Sequence, residues 1–287
     1  FDDSLVPLIS TLLEPAGRIS GRPIRLAENM GISFIGCYVL GIGFVIQPEE
    51  AQAWIQADRR NGEVLFPYLN GEDLNTRPDS SASRWVIDFG EMSEISARRY
   101  RAPWARVHSD VRHARLLKDA TKYPRMVNEW WKFWNARPSM RRATRGLDEI
   151  LTIPRVSKSL NCIRCARSQV PSDQVVVIAT NSYSTQALLN SAVHLIWAVA
   201  FSSSFGTTLR YTPSATFDTF PFPGIIDDLD PVGRGLDQER REIMLRRELG
   251  LTKLYNPSTS SARASTSTAG VARMPSINTE LDHVVMA

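Results

Sequence analysis

Hydrophobic and polar positions change their period several times along the chain. Ile32-Ser33-Phe34-Ile35 and Gly43-Phe44-Val45-Ile46 are β-branched and aromatic, which predicts one or two strands between residues 32 and 46. Pro48-Glu49-Glu50-Ala51 opens a helix, with proline in the first turn and acids at the positive end of the dipole. Val64 to Tyr68 and Trp85 to Phe89 read as further strands, with turns at Asn70-Gly71 and Thr76-Arg77-Pro78-Asp79-Ser80. From Ser93 the pattern is helical. Ser93 caps a helix through Tyr100, and a second helix from about Arg125 carries Met126, Trp130 and Trp134 at i, i+4 and i+8, beside Trp131. The expectation for such a stripe is core, with base stacking as the alternative. Pro138 and Gly146 break this segment.

Ile153, Val156 and Val175-Val176-Val177-Ile178 predict strands on either side of a basic loop from Arg155 to Arg167. Ser184-Thr185 begins a helix that is apolar nearly all round at Leu188, Leu189, Ala192, Leu195, Ile196 and Val199, and is therefore expected to be buried. His194 on that helix reads as a satisfied core histidine, because no nucleophile and orienting acid accompany it. Asp237 to Leu249 is a charged helix with Gly250 as its stop. The sum is an α+β chain: a mixed-sheet domain over 31–225, preceded by a connector over 1–30 and followed by a helical segment over 226–256. A Ser/Thr/Ala-rich linker over 257–270 and a helical tail over 271–287 complete the expected organisation.

Composition adds little until charge is mapped. The 287 residues are 43% hydrophobic with seven tryptophans, ample for a core. No run of about 18 apolar residues or signal peptide is present, and the chain opens on Phe1, which suits a fragment of a longer cytoplasmic protein. Net charge is +4, yet residues 97–168 hold 18 Lys and Arg against five Asp and Glu, a local +13 that leaves −9 elsewhere. Such segregation points to a polyanion partner, since phosphate neutralisation releases counterions. The competing reading is a basic surface that balances acids such as Glu49, Glu50, Asp73 and Glu91 within the fold. Candidate phosphate contacts are Arg98, Arg99, Arg112, Arg115, Lys132, Arg137, Arg141, Arg142 and Arg145.

The segment from Ser202 to Arg210 combines small hydroxylated side chains, Gly206 and a terminal arginine, a composition that lets a loop approach DNA and address base edges; an ordinary turn into a strand is the alternative. Candidate base-reading residues are Arg155, Lys158, Arg164, Ser203, Ser204, Thr207 and Arg210. Cys162 and Cys165 form one CxxC, and His108 and His113 have a zinc-like spacing, so a mixed zinc site competes with reduced structural thiols; the latter is the expectation, and no metal is assigned. The glycines between Gly36 and Gly43 lie in an apolar, strand-like run without the acidic residue of a nucleotide-binding unit. No catalytic residue and no cofactor site is assigned to this chain.

Several stretches together resemble a known family. They are Leu65-Phe66-Pro67-Tyr68-Leu69-Asn70-Gly71-Glu72-Asp73-Leu74-Asn75, Arg84-Trp85-Val86-Ile87-Asp88-Phe89, Leu209-Arg210-Tyr211-Thr212-Pro213 and Phe217-Asp218-Thr219-Phe220-Pro221-Phe222-Pro223. In this order the chain resembles the C-terminal target-recognition region of MmeI-like (type IIG/IIL) adenine-specific DNA methyltransferases of restriction-modification systems. The likeness starts at Arg25-Leu26-Ala27-Glu28-Asn29 and resumes at Gly250-Leu251-Thr252-Lys253-Leu254-Tyr255-Asn256, covering roughly nine tenths of the chain.

The resemblance implies recognition of duplex DNA that directs S-adenosylmethionine-dependent adenine-N6 methylation, in restriction-modification or phage defence. An Asn-Pro-Pro-Tyr-like turn and a Gly-rich cofactor loop are missing, since Asn256-Pro257 runs into Ser258-Thr259. The catalytic core and S-adenosylmethionine would then belong to the full-length polypeptide. A freestanding nucleic-acid-binding module and a degenerate non-catalytic remnant remain as alternatives.

Overall fold

A computed structural model describes residues 22–205, 208–224 and 226–255. The N-terminal half contains β1 (Ser33–Ile35), β2 (Val45–Ile46), α1 (Pro48–Ala57), β3 (Leu65–Leu69), α2 (Gly71–Thr76), β4 (Arg84–Ile87), α3 (Glu94–Ala97), α4 (Arg101–Asp110), α5 (Arg112–Leu116), α6 (Pro124–Asn128) and α7 (Pro138–Ala143). The second half contains β5 (Glu149–Pro154), β6 (Val156–Ser157), β7 (Ile163–Ala166), β8 (Val170–Pro171), β9 (Val175–Ile178), α8 (Tyr183–Leu189), α9 (Ala192–Phe201), β10 (Ser203–Phe205), β11 (Thr208–Arg210), α10 (Asp230–Arg247) and α11 (Leu251–Tyr255). The fold class is α+β, as the sequence predicts. The expected linker and tail after 256, and most of the expected connector, lie outside the described residues.

Among the described residues, strands form three sheets. The first has the order β1-β9-β5-β7 and is antiparallel throughout. The second, β2-β4-β3-β8, is antiparallel except where β8 runs parallel to β3, and the third is the small sheet β10-β11-β6. The first sheet is covered on both faces, which explains why Val175-Val176-Val177-Ile178 shows no polar alternation. Leu151, Ile153, Val176 and Ile178 point into a smaller core with Leu189, Ala198, Tyr211 and Phe217, while Ile150, Val175 and Val177 point into the main one. The register Leu151↔Ile178 and Ile153↔Val176 keeps each set on its own face, as a period of two requires.

Several local expectations are corrected. Asn70 is a helix N-cap: its side chain accepts from the Asp73 N–H while the Asp73 carboxylate accepts from the Asn70 N–H, a capping box that starts α2 where a turn was expected. The aromatic stripe is not on one helix, since α6 ends at Asn128; Trp130 and Trp131 enter the core individually, and Trp134 remains 37% exposed. The basic loop after Arg155 contains two strands, β6 and β7. The apolar helix is two helices, capped by Ser182 and Ser191, and the second leaves Leu195 and Ile196 exposed. The charged helix begins at Asp230 and is closed by Glu248 in the left-handed conformation, φ 51°. Gly250 answers a packing need instead, because a Cβ there would stand 2.3 Å from the Thr76 backbone.

Helix α10 packs on α8, and Leu236, Ile243, Met244, Leu251 and Leu254 join the main core, so the segment after 226 is built into the same body. No helix among the described residues is long and apolar enough to cross a membrane.

His194 is fully buried, with Nε2 3.1 Å from the Tyr211 hydroxyl and Nδ1 unpartnered. Burial pushes its pKa down to about 3. The native state therefore holds it neutral, whereas the unfolded chain protonates it near pH 6.5, and its stabilisation is complete above that pH and is lost as pH falls towards 3. Thermal or urea unfolding from pH 8 to 5 should show a loss of about 2 kcal/mol from this residue. His194→Gln should flatten that slope; an unchanged slope would show that other groups set it.

Candidate nucleic-acid interface

The site grows from the exit of β5. Pro154 pairs with Val175, and one residue later the Arg155 N–H donates to the Gln174 carbonyl at 2.8 Å while its own carbonyl accepts from the Tyr211 N–H at 2.9 Å. Arg155 is thus held between the β8–β9 turn and the end of β11. The register Arg210↔Val156 brings Arg210 alongside. Arg155 and Arg210 line one cleft of about 590 Å³, together with Glu72, Asn75, Asp173 and Gln174.

The two arginines differ in preparation. Arg155 donates from Nη1 to the Tyr38 hydroxyl (3.3 Å) and the Asp173 carbonyl (3.2 Å), which fixes its fork, and its Nε has no partner. Arg210 is exposed, and its guanidinium has no hydrogen bond or ion pair among the described residues. Across the cleft, the Asn75 carbonyl accepts from the Ser157 hydroxyl at 3.1 Å, while the exposed Gln174 amide has no side-chain partner among the described residues. Sequence reasoning missed Asn75 and Gln174, which reach the cleft from α2 and the β8–β9 turn.

The expected Ser202–Arg210 loop is a hairpin: Ser203 pairs with Arg210, Ser204 with Leu209 and Phe205 with Thr208. Ser203 is exposed on its outer strand and Lys158 is exposed beyond β6. Ser204 enters through its backbone pairing, and Thr207 lies outside the described residues. Arg164 leaves the base-reading set. It is 2% exposed, pairs with Glu149 at 3.4 Å, donates to Gln186 and stacks 3.8 Å from the centroid of Tyr183, so no face remains for a base.

The phosphate set divides in the same way. Arg99, Arg112, Arg142 and Arg145 are exposed; so is Arg98, which pairs with Glu94 at 2.7 Å. Arg137 donates to the Gly36 carbonyl at 3.1 Å and lies over the Tyr38 ring. Three others are structural. Arg141 holds the buried Asp88 carboxylate at 2.6 Å and donates to the Ala136 carbonyl. Lys132 is buried against Glu129 at 2.6 Å. Arg115 donates to the carbonyls of Val39, Leu40, Trp130 and Lys132 and lies over the Phe44 ring; burial pulls its pKa down to about 10.

The zinc alternative is not built. Cys162 and Cys165 are core thiols whose pKa burial pushes up to about 12, His108 packs on Trp104 and Trp130, and no metal-holding group of His, Cys, Asp or Glu occurs among the described residues. Gly36 is explained by contact, because a Cβ would stand 2.1 Å from the Ser172 carbonyl oxygen.

Comparison with known proteins places this architecture among target-recognition domains. The chain belongs to the family described as MmeI, target recognition domain, whose profile matches residues 33–224. Among solved structures, it is similar to the type IIL restriction-modification enzyme MmeI in complex with DNA, at TM-score 0.71 and 17% identity, over 98% of this chain and 35% of that one. The type IIG restriction endonuclease BpuSI aligns over 92% of this chain and 31% of its own at 14% identity, but with TM-score 0.37 that likeness carries no argument. No curated protein sequence matches the chain. The chain spans about a third of the length of the two solved relatives.

Replacing Arg115 with Met should lower unfolding stability by about 3 kcal/mol or more, since each buried carbonyl left without a donor costs roughly 1–3 kcal/mol. Arg142→Ala should change it by less than about 0.5 kcal/mol. Equal denaturation midpoints for both variants would contradict the division into structural and surface cations.

Proposed function

We propose that this chain reads the sequence of duplex DNA through the Arg155–Arg210 cleft and so directs a DNA-modifying activity carried elsewhere in the same polypeptide. The observation that carries the reading is the composition of the cleft. Two arginines stand beside amides and carboxylates, the side chains that address guanine, adenine and cytosine edges in the major groove. Arg155 is preorganised by its anchors, which lowers the ordering cost of a bidentate contact. Family membership supports the proposal, as does the likeness to an enzyme solved with DNA.

The directed activity is proposed to be S-adenosylmethionine-dependent methylation of adenine N6 in the cytoplasm, with the cofactor and catalytic residues in the remaining part of the enzyme. The family relationship supports this, together with the chain's coverage of only 35% of the solved MmeI chain. Exposed Arg98, Arg99, Arg112, Arg142 and Arg145 supply phosphate contacts that set register without reading sequence. Lys158 and Ser203 are exposed, and Ser203 is in register with Arg210.

Arg210→Ala should relax discrimination at one base pair by about 1–3 kcal/mol, with binding measured across a set of single-substitution duplexes. Replacing Arg142 and Arg145 together should weaken all sequences alike and reduce the magnitude of the salt slope by about 2. A uniform loss across all duplexes for Arg210→Ala would remove it from base reading.

A further inference from the structure

Beside the reading cleft lies a surface that the arginine-based account does not use. Tyr38, whose hydroxyl accepts from Arg155, has its ring 5.6 Å from that of Trp134 in an edge-to-face arrangement. Trp134 is 37% exposed, unlike Trp130 and Trp131, and Leu40, two residues beyond Tyr38, is 51% exposed. Arg137 lies over the Tyr38 ring at 5.0 Å.

The backbone holds this patch in an unusual state. Leu40 and Arg137 are both left-handed, at φ 46° and 56°, a conformation costly for residues with a Cβ. Each is tied down. The buried Arg115 holds the Leu40 carbonyl, while the Arg137 N–H donates to the Asn135 side chain and its guanidinium to the Gly36 carbonyl. Paired Tyr38–Asn135 backbone hydrogen bonds of 3.0 and 3.1 Å join the two segments. A part-exposed aromatic pair is therefore fixed in place, with arginines beside it.

We propose that Trp134, backed by Tyr38, is a stacking surface for one unstacked nucleobase of the bound DNA. The inference rests on the DNA-reading function proposed above. Arginines on two sides favour a polyanion over an apolar protein partner, the Tyr38–Arg155 hydrogen bond makes the surface continuous with the cleft, and aromatic faces accept any base. Separating a base from a paired stack opposes binding, and an unpaired base lowers that cost.

The test is binding of this chain to duplexes of one enriched sequence in which a single unpaired base is moved stepwise along the site. The wild-type chain should prefer one position over the fully paired duplex by about tenfold or more, and Trp134→Ala should abolish that preference. Trp134→Phe should restore most of it. No position preference, or a preference that survives Trp134→Ala with unchanged circular dichroism, would overturn the stacking surface. Failure of the wild-type chain to bind any duplex would instead overturn the DNA-reading proposal.

Discussion

The candidate interface depends on one backbone hydrogen bond, from the Arg155 N–H to the Gln174 carbonyl. It continues the β5–β9 ladder one residue beyond the doubly covered sheet, at the point where β5 gives way to β6. Because the sheet behind it is packed on both faces, a slip of one residue would exchange the two buried sets of side chains and turn Arg155 inward. The same residue's carbonyl holds Tyr211, whose hydroxyl meets His194 in the smaller core. Cleft and core therefore share one register, and the positions of Arg155 and Arg210 follow from apolar packing.

Charge segregation along the chain gives way to a finer division in space. The basic segment supplies surface cations, but Arg115, Lys132, Arg141 and Arg164 serve as internal ties, each with carbonyl or carboxylate partners close at hand. Buried cations of this kind need close polar partners, and the arginines hold several at once through a planar group, although Nε of Arg115 and of Arg164 has no partner. Arg115 shows why the division matters: it joins the segment around Leu40 to that around Lys132, two residues before the part-exposed Trp134.

Much of the fold was legible where local signals agree with tertiary ones. The strands around Val86 and Val176, the proline-led helix at Pro48 and the core placement of His194 were all readable. Asn70 was misread because Asn-Gly is a strong turn signal, although Asp73 three residues on carries the competing capping-box pattern. Trp130 and Trp134 share a helical spacing without a helix, since separate tertiary contacts, with Trp104 and with Tyr38, place their rings. The role of Arg115 had no local signature, its partners Val39 and Leu40 lying 76 and 75 positions away. Asn75 and Gln174 were missed for the same reason, because the cleft joins segments that the sequence separates.

Selection from a random-sequence duplex pool tests the central claim most directly, with this chain immobilised at moderate salt and the retained molecules sequenced. The account predicts enrichment of one short motif, with Arg210→Ala degrading a single position within it. Salt-sensitive retention without any enriched motif would contradict sequence reading by this chain and leave its cations a purely positional role.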